Sequence, residues 1–336
     1  MPLNLPVADA SLGAIQAYAA QPLVQLGLFI AANAAMIWRL HAMERKGFEG
    51  TVLGTLIMPY CSGFANLVFA YVMSRSATGG GAVIENSLVN NATNLTLILG
   101  LTAIFGSAAL LPKTRSTKKK LAEFARLSRL NLLLTLIAVF LFTGTLWALA
   151  KDEQLNFYDG LILVALFLFW QILHVFEVLK DNIRNGRQVH WSIALDLALI
   201  AVSAWGVYYS VDSLVTWVAT SNSPIFSFAK IGWISGLLMV LPNAFLALYY
   251  THIGRPDIVI SSQVGDGHIC IPMCIGLVAM VNPIQIPAAF DTGIYIILGA
   301  GLVLFLLLAT LGRIPRAVGV GLVGAYAYFL YNGLVR

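Results

Sequence analysis

About ten apolar stretches, near 22–41, 50–73, 83–111, 126–150, 157–179, 191–219, 226–251, 257–281, 288–312 and 314–334, occupy nearly all of this 336-residue chain. Each is long enough to cross the hydrocarbon core of a bilayer, which takes roughly 20 helical residues. Backbone polar groups in hydrocarbon must bond within the protein, so spans of this kind are helices, and the short connections leave no room for a soluble domain. Only 10% of residues are charged and the mean hydropathy is +0.83, far from the balance of a soluble globule. The expected fold is therefore an all-α membrane protein of about ten transmembrane helices. Segment 1–21 carries no Lys or Arg and so lacks a signal peptide's basic start; the first span is expected to direct insertion.

Basic residues set the expected orientation. Connections after odd-numbered spans, together with the adjoining span ends, hold sixteen Lys and Arg, among them the run Lys113 to Arg129, against four on the other side: Arg75, Lys151, Lys230 and Arg336. The positive-inside rule then places the odd connections in the cytoplasm and both termini outside, in a bacterial inner membrane. The run "PKTRSTKKK" reads as a topogenic signal, with lipid-headgroup or partner contact as the other reading.

Two stretches put polar groups at span depth. The segment Leu241 to Pro272 holds Pro242, Asn243, Asp266, His268 and Cys270, and Ser62 to Gly100 is its counterpart. A charged side chain at the centre of a span costs about 2.5–3.5 kcal/mol on insertion scales, so Asp266 between Gly265 and Gly267 needs a reason to be there. Asn86, Asn90 and Asn94 follow an i, i+4, i+8 spacing and share one face of span 3. Asn66 precedes Asn94 by 28 residues, and Asn243 precedes Cys270 by 27, five spans later. Five is odd, so the second block enters the membrane inverted. Inverted repeats with interrupted helices at matching positions point to the midplane site of a secondary transporter. The chain thus divides into spans 1–5 (22–150 and 157–179, first motif in spans 2–3) and spans 6–10 (191–336, second motif in spans 7–8), two inverted five-helix repeats. Cys61, Cys270 and Cys274 lie inside spans without the spacing of a metal clip and read as small apolar residues. The sequons at Asn91 and Asn94 lie within span 3, beyond a glycosylation enzyme.

These segments resemble the sodium/calcium exchangers of the cation/calcium antiporter superfamily. Members carry two copies of a Gly-Thr-Ser-Leu-Pro-Glu helix followed by a Gly-Ser-Asn-x-x-Asn/Asp helix. "LPNAFLAL" aligns with the first motif and "VGDGHIC" with the second; in the other half "GFANLVFA" and "VNNATNLTLILGL" match with one inserted residue. "YDGLILV", "VYYSVDSLVTWVA" and "GRIPRAVGVGLVGAYAYFLY" extend the likeness over nearly the whole length. At the positions of the family's cation-coordinating carboxylates this chain has Asn66, Asn243 and Cys270. The family's Thr-Ser pair is replaced by Met239 and Val240 in one copy and by Ser62 and Gly63 in the other. Pro242 is retained and implies a released carbonyl at Leu238 as a ligand; Ala65 stands at its counterpart, with Pro59 as a displaced kink.

The ion site implied by this resemblance comprises Asn66, Asn90, Asn94, Asn243, Asp266 and Cys270. Ser62, Asn86, Leu238 and His268 are secondary members, His268 on the expectation that a break at Gly265, Gly267 and Pro272 turns it inward. Asp196, and His174 with Glu177, read as interface or interhelical groups, and Asp212 receives no role. One carboxylate offers at most one negative charge, which suits a proton or one monovalent cation better than calcium. Two functions stand: a divergent antiporter exchanging a proton or monovalent cation, or a transport-inactive homologue serving as a structural, assembly or sensory subunit of a membrane complex. No cofactor, nucleic-acid partner or enzymatic motif is expected.

Overall fold

A computed structural model describes residues 21–45, 63–76, 78–106, 118–185, 193–221, 223, 226–252 and 256–335. The proposed roles of Pro59, Cys61 and Ser62, and much of the basic run after span 3, lie outside the described residues, as do the side chains of His174 and Glu177. Among the described residues ten main helices follow in order: α1 (Pro22–Arg45), α2 (Phe64–Ser74), α3 (Gly80–Phe105), α4 (Lys118–Leu149), α5 (Phe157–Asn185), α6 (Ile193–Thr220), α7 (Ile231–His252), α8 (Pro256–Ile269, continuing to Val281), α9 (Phe290–Thr310) and α10 (Arg316–Leu330). Eight of them contain segments long and apolar enough to cross a membrane, and the described part of α2 and the apolar start of α5 are shorter. The chain is an integral membrane protein with the expected all-α architecture.

The helices pack in pairs related by the repeat. Helix α1 lies along α6, α4 along α9, the second half of α3 along α10, and the second half of α8 along α5. The last two crossings share one device. A Cβ on Gly319 of α10 would stand 2.7 Å from the Gly100 carbonyl oxygen of α3, and a Cβ on Gly160 of α5 would stand 2.5 Å from that of Gly276 in α8. Glycine at both positions lets the backbones touch, the usual route to tight helix association where lipid supplies no hydrophobic drive.

The described connections after even-numbered helices meet at one end of the bundle. Strand β1 (Gln154–Leu155), between α4 and α5, pairs antiparallel with β2 (Ile284–Gln285), between α8 and α9. At the same end Asn282 donates to the Ser74 carbonyl at 2.8 Å, and Arg75 meets Tyr208 at 3.0 Å and Asp212 at 3.6 Å. At the opposite end Arg39 of α1 pairs with fully buried Asp196 of α6 at 3.5 Å. Asp196 is thus an interhelical group, one of the two readings open from sequence. The even connections after α2, α4 and α8 thus gather at one end of the bundle, and the Arg39–Asp196 pair marks the other.

Helices α3 and α8 form the centre, each buried over most of its span, while α1, α6 and α10 are largely exposed to the surroundings. Both central helices widen into a π-helical turn at matching places, Thr93–Ile98 in α3 and Cys270–Ile275 in α8. The causes differ. Pro272 supplies no N–H to the ladder of α8. In α3 the Thr93 hydroxyl donates to the Val89 carbonyl at 2.6 Å and Thr96 donates to the Ala92 carbonyl, competing with the backbone for acceptors. The expected break at Gly265 and Gly267 is corrected: α8 continues as α-helix through Ile269, and the irregularity is the π turn that follows.

Candidate functional site

The four helices of the repeated motifs bring six side chains into one buried group. Asn66 comes from α2, Asn90 and Asn94 from α3, Asn243 from α7, and Asp266 and Cys270 from α8, each 5% exposed or less. The i, i+4 spacing of Asn90 and Asn94 stacks them on one face of α3, and Asp266 and Cys270 stack in the same way on α8.

Hydrogen bonds give this group a direction. Asn94 Nδ2 donates to Asp266 Oδ2 at 2.8 Å, and Asn243 Nδ2 donates to the same oxygen at 2.9 Å. Asn94 Nδ2 also donates to Asn90 Oδ1 at 3.1 Å, and Asn90 Nδ2 reaches Asn66 Oδ1 at 3.4 Å. One carboxylate is therefore held by amides from both repeats, and a relay of amides runs from it to α2. Two of these bonds converge on one carboxylate oxygen, so Oδ2 is the point at which the two repeats meet in the cluster. Two buried atoms, Asn94 Oδ1 and Asn66 Nδ2, have no hydrogen-bond partner among the described residues. Asn94 thus spends its amide hydrogens on protein acceptors and keeps its carbonyl oxygen for something else.

The other sequence-derived members lie around this group. Asn86 sits one turn before Asn90 but donates to Ser235 Oγ at 3.0 Å and Met239 Sδ at 3.5 Å, both on α7. Cys270 lies one turn beyond Asp266, with its Sγ 3.8 Å from the Asp266 carbonyl oxygen. The Leu238 side chain lines an apolar crevice with Phe29, Val211 and Val215, next to Ser235 and Met239, the acceptors of the Asn86 amide. Helix α7 runs through Pro242 without interruption. His268 does not turn inward: its Nε2 lies 3.0 Å from the Thr135 carbonyl oxygen of α4, and its ring packs edge-on against Phe142 and Trp170. That correction has a simple cause. In an unbroken helix two residues on from Asp266 is about 200° around the axis.

Sequence reasoning passed over the residues that lock α3 to α8. Ser87 donates its hydroxyl to the Cys270 carbonyl at 2.9 Å, at the start of the π turn. Asn91 donates to the Ser87 carbonyl at 2.7 Å, and its side chain fills the place a Cβ on Gly267 would take. Extending the Asn stripe to its neighbours, and asking why Gly267 follows Asp266, would have found both.

Residues 22–176 match the sequence model of the family described as sodium/calcium exchanger protein. Among solved structures the chain is similar to the sodium-calcium exchanger NCX_Mj. Soaked with 100 mM Na+ and 10 mM Sr2+, that protein superposes with a TM-score of 0.64 at 17% identity, over 93% of this chain and 96% of the other. Soaked with 2.5 mM Na+ and 0.1 mM Ca2+, it gives 0.63 at 17% identity over the same shares. No curated protein matches by sequence. The structural likeness covers both repeats and establishes the fold.

Proposed function

We propose that this chain, a member of the sodium/calcium exchanger family and so built as a cation exchanger-type transporter, exchanges a proton or one monovalent cation for another ion, with Asp266 as the coupling residue. The observation that carries the reading is one buried carboxylate, Asp266, held by Asn94 of one repeat and Asn243 of the other. A group bonded to both halves senses any rearrangement of one against the other. One carboxylate at the meeting point of the two repeats fits a monovalent charge better than a dication, which takes several carboxylate oxygens. Asn66, Asn90 and Cys270 complete the proposed site, with Asn86 at its edge and Leu238 as a backbone contributor; Ser62, a further proposed member, lies outside the described residues. The setting is a bacterial inner membrane with both termini outside, on the charge asymmetry of the connections.

One observation favours the second reading, an inactive homologue working as a structural, assembly or sensory subunit beside other membrane proteins. Side chains of the site bond to one another and fill it, as packing polar groups do. Asn94 Oδ1 favours the first reading, as an oxygen with no hydrogen-bond partner among the described residues beside the carboxylate that two amides hold. Flux of sodium, potassium and protons in proteoliposomes, wild type beside Asp266→Asn, separates the two. Wild-type flux that varies with pH through one titration and vanishes in the variant is expected. No flux of any monovalent ion, with co-purification of unrelated subunits, would transfer the case to the subunit reading.

A further inference from the structure

A second polar cavity lies toward the end of the bundle where the even connections gather, separate from the Asp266 group. It measures about 410 Å³ and is lined by Glu85, Trp233, Thr292, Phe329 and Asn332, with Ala288, Ala289 and Gly333 as small walls. Four helices meet there: the starts of α3, α7 and α9, and the end of α10. The volume falls in the range of small-molecule sites, roughly 300–1,000 Å³. Glu85 and Asn94 are nine residues apart on α3, so the cavity stands about 13 Å along the axis from the amide cluster.

The lining is built rather than left over. Helix α7 approaches α3 closely because residue 232 is glycine; a Cβ there would lie 2.7 Å from Glu85 Oε2 and 2.6 Å from the Ala82 carbonyl oxygen. That approach sets Trp233 beside Glu85. Its indole stacks at a tilt on Phe329, with ring centroids 4.8 Å apart, and the chain end at Gly333 closes over the indole. The result is one half-buried carboxylate beside an aromatic wall, with a hydroxyl and an amide at the rim.

This combination selects among ligands. One carboxylate cannot satisfy a divalent metal, which seeks six or more hard oxygens. An anion would face the Glu85 carboxylate and meet no cationic side chain in the lining. A neutral apolar molecule would offer the Glu85 carboxylate no further partner beside the Trp233 indole N–H that it already accepts. A small organic cation satisfies every wall at once: its charge meets Glu85, and its methyl or methylene groups meet Trp233 and Phe329, whose rings attract cations through their quadrupoles. We propose that this cavity binds a small organic ammonium ion, a protonated amine or a quaternary ammonium, from the side of the membrane that holds the C terminus. The site needs neither Asp266 nor transport.

Calorimetric titration of the purified full-length protein with tetramethylammonium chloride, at constant ionic strength, tests this. Wild type is expected to bind one equivalent with a Kd of about a millimolar or tighter. Glu85→Gln, which keeps the shape and removes the charge, should weaken binding at least roughly tenfold. Ala288→Trp, which fills the cavity from an exposed wall position, should do so without altering charge. Both variants are checked for wild-type melting, and Asp266→Asn should bind like wild type. Absence of saturable binding, binding that survives either substitution, or binding lost in Asp266→Asn overturns the proposal.

Discussion

Helices α2 and α3 of the first repeat and α7 and α8 of the second share their backbone devices and differ in their chemistry. Each pair contributes an asparagine from its first helix, Asn66 or Asn243, and a π turn from its second. Each central helix crosses an outer one at touching glycines, Gly100 with Gly319 and Gly276 with Gly160. The first repeat then offers only neutral amides to the centre, whereas the second offers Asp266. Even the shared π turn has separate origins, threonine hydroxyls in one helix and a proline in the other. Symmetry is held in the backbone, where shape decides it, and lost in the side chains, where charge decides what an ion experiences.

If charge resides in one repeat alone, the largest effect comes from removing it. Asp266→Asn should reduce any monovalent flux by at least ~100-fold while the protein still folds, since the substitution keeps the shape and removes a charge that is costly at this depth. Removing one donor from the other repeat, Asn94→Leu, should cost roughly tenfold or more, the equivalent of one hydrogen bond to a charged group at about 1.5–3 kcal/mol. Flux that survives Asp266→Asn but disappears in Asn94→Leu would put the function in the first repeat and break the comparison.

The glycine crossings test the shared backbone. Gly160→Val and Gly319→Val each force a branched side chain against a neighbouring carbonyl that even a Cβ would approach to 2.5 Å and 2.7 Å. Overpacking of this kind costs about 1–3 kcal/mol. Both variants should lower the melting temperature by similar amounts. A large drop in one half with a neutral result in the other would mean that the repeats no longer share this crossing.

Much of this was legible in the sequence, for a physical reason. Apolar length fixes a membrane helix almost alone, so the all-α architecture of about ten helices was legible from the run of apolar stretches. The i, i+4, i+8 spacing of Asn86, Asn90 and Asn94 fixed a face, and the inverted repeat fixed which helices meet there. A face does not name a partner, however. Asn86 bonds α7 instead of joining the relay, and Asn91 and Ser87, which join α3 to α8, looked like residues beside the stripe. Glycine signals failed in kind: Gly265 and Gly267 suggested a break, while Gly267 makes room for Asn91 and the helix stays whole. The π turn in α3 had no proline to announce it. Glu85 was passed over because one acid near a span's end is ordinary until Trp233 and Phe329 are seen beside it.

A smaller effect is expected where the repeats are joined. Ser87→Ala removes the hydroxyl that reaches the Cys270 carbonyl at the π turn of α8. The loss should be about 0.5–1.5 kcal/mol, one ordinary hydrogen bond. Melting should fall by a degree or two and flux should stay within twofold of wild type. Flux lost together with unchanged melting would make Ser87 part of the moving contact between repeats and sharpen the contrast between held backbone and changed chemistry.

The smallest effect expected is calcium's. A dication beside Asp266 would keep net positive charge in a low-dielectric interior, where Born costs reach tens of kcal/mol before relaxation. Calcium also takes about 6–8 oxygen ligands, several of them carboxylates, and the positions where the family resemblance implies them hold Asn66, Asn243 and Cys270. Amide oxygens can replace carboxylate geometry but not its charge, and three of the cluster's amides already donate to protein oxygens, two of them to Asp266 itself. With a Kd above about 100 mM, 10 mM calcium adds under about 0.1 kcal/mol of stability by mass action, too little to shift melting. The expected result is therefore an unchanged melting curve and no calcium uptake into vesicles under a sodium gradient. Robust sodium-driven uptake would mean that amides from one repeat and a single carboxylate from the other suffice for a dication, and the division of labour between the two halves would have to be redrawn.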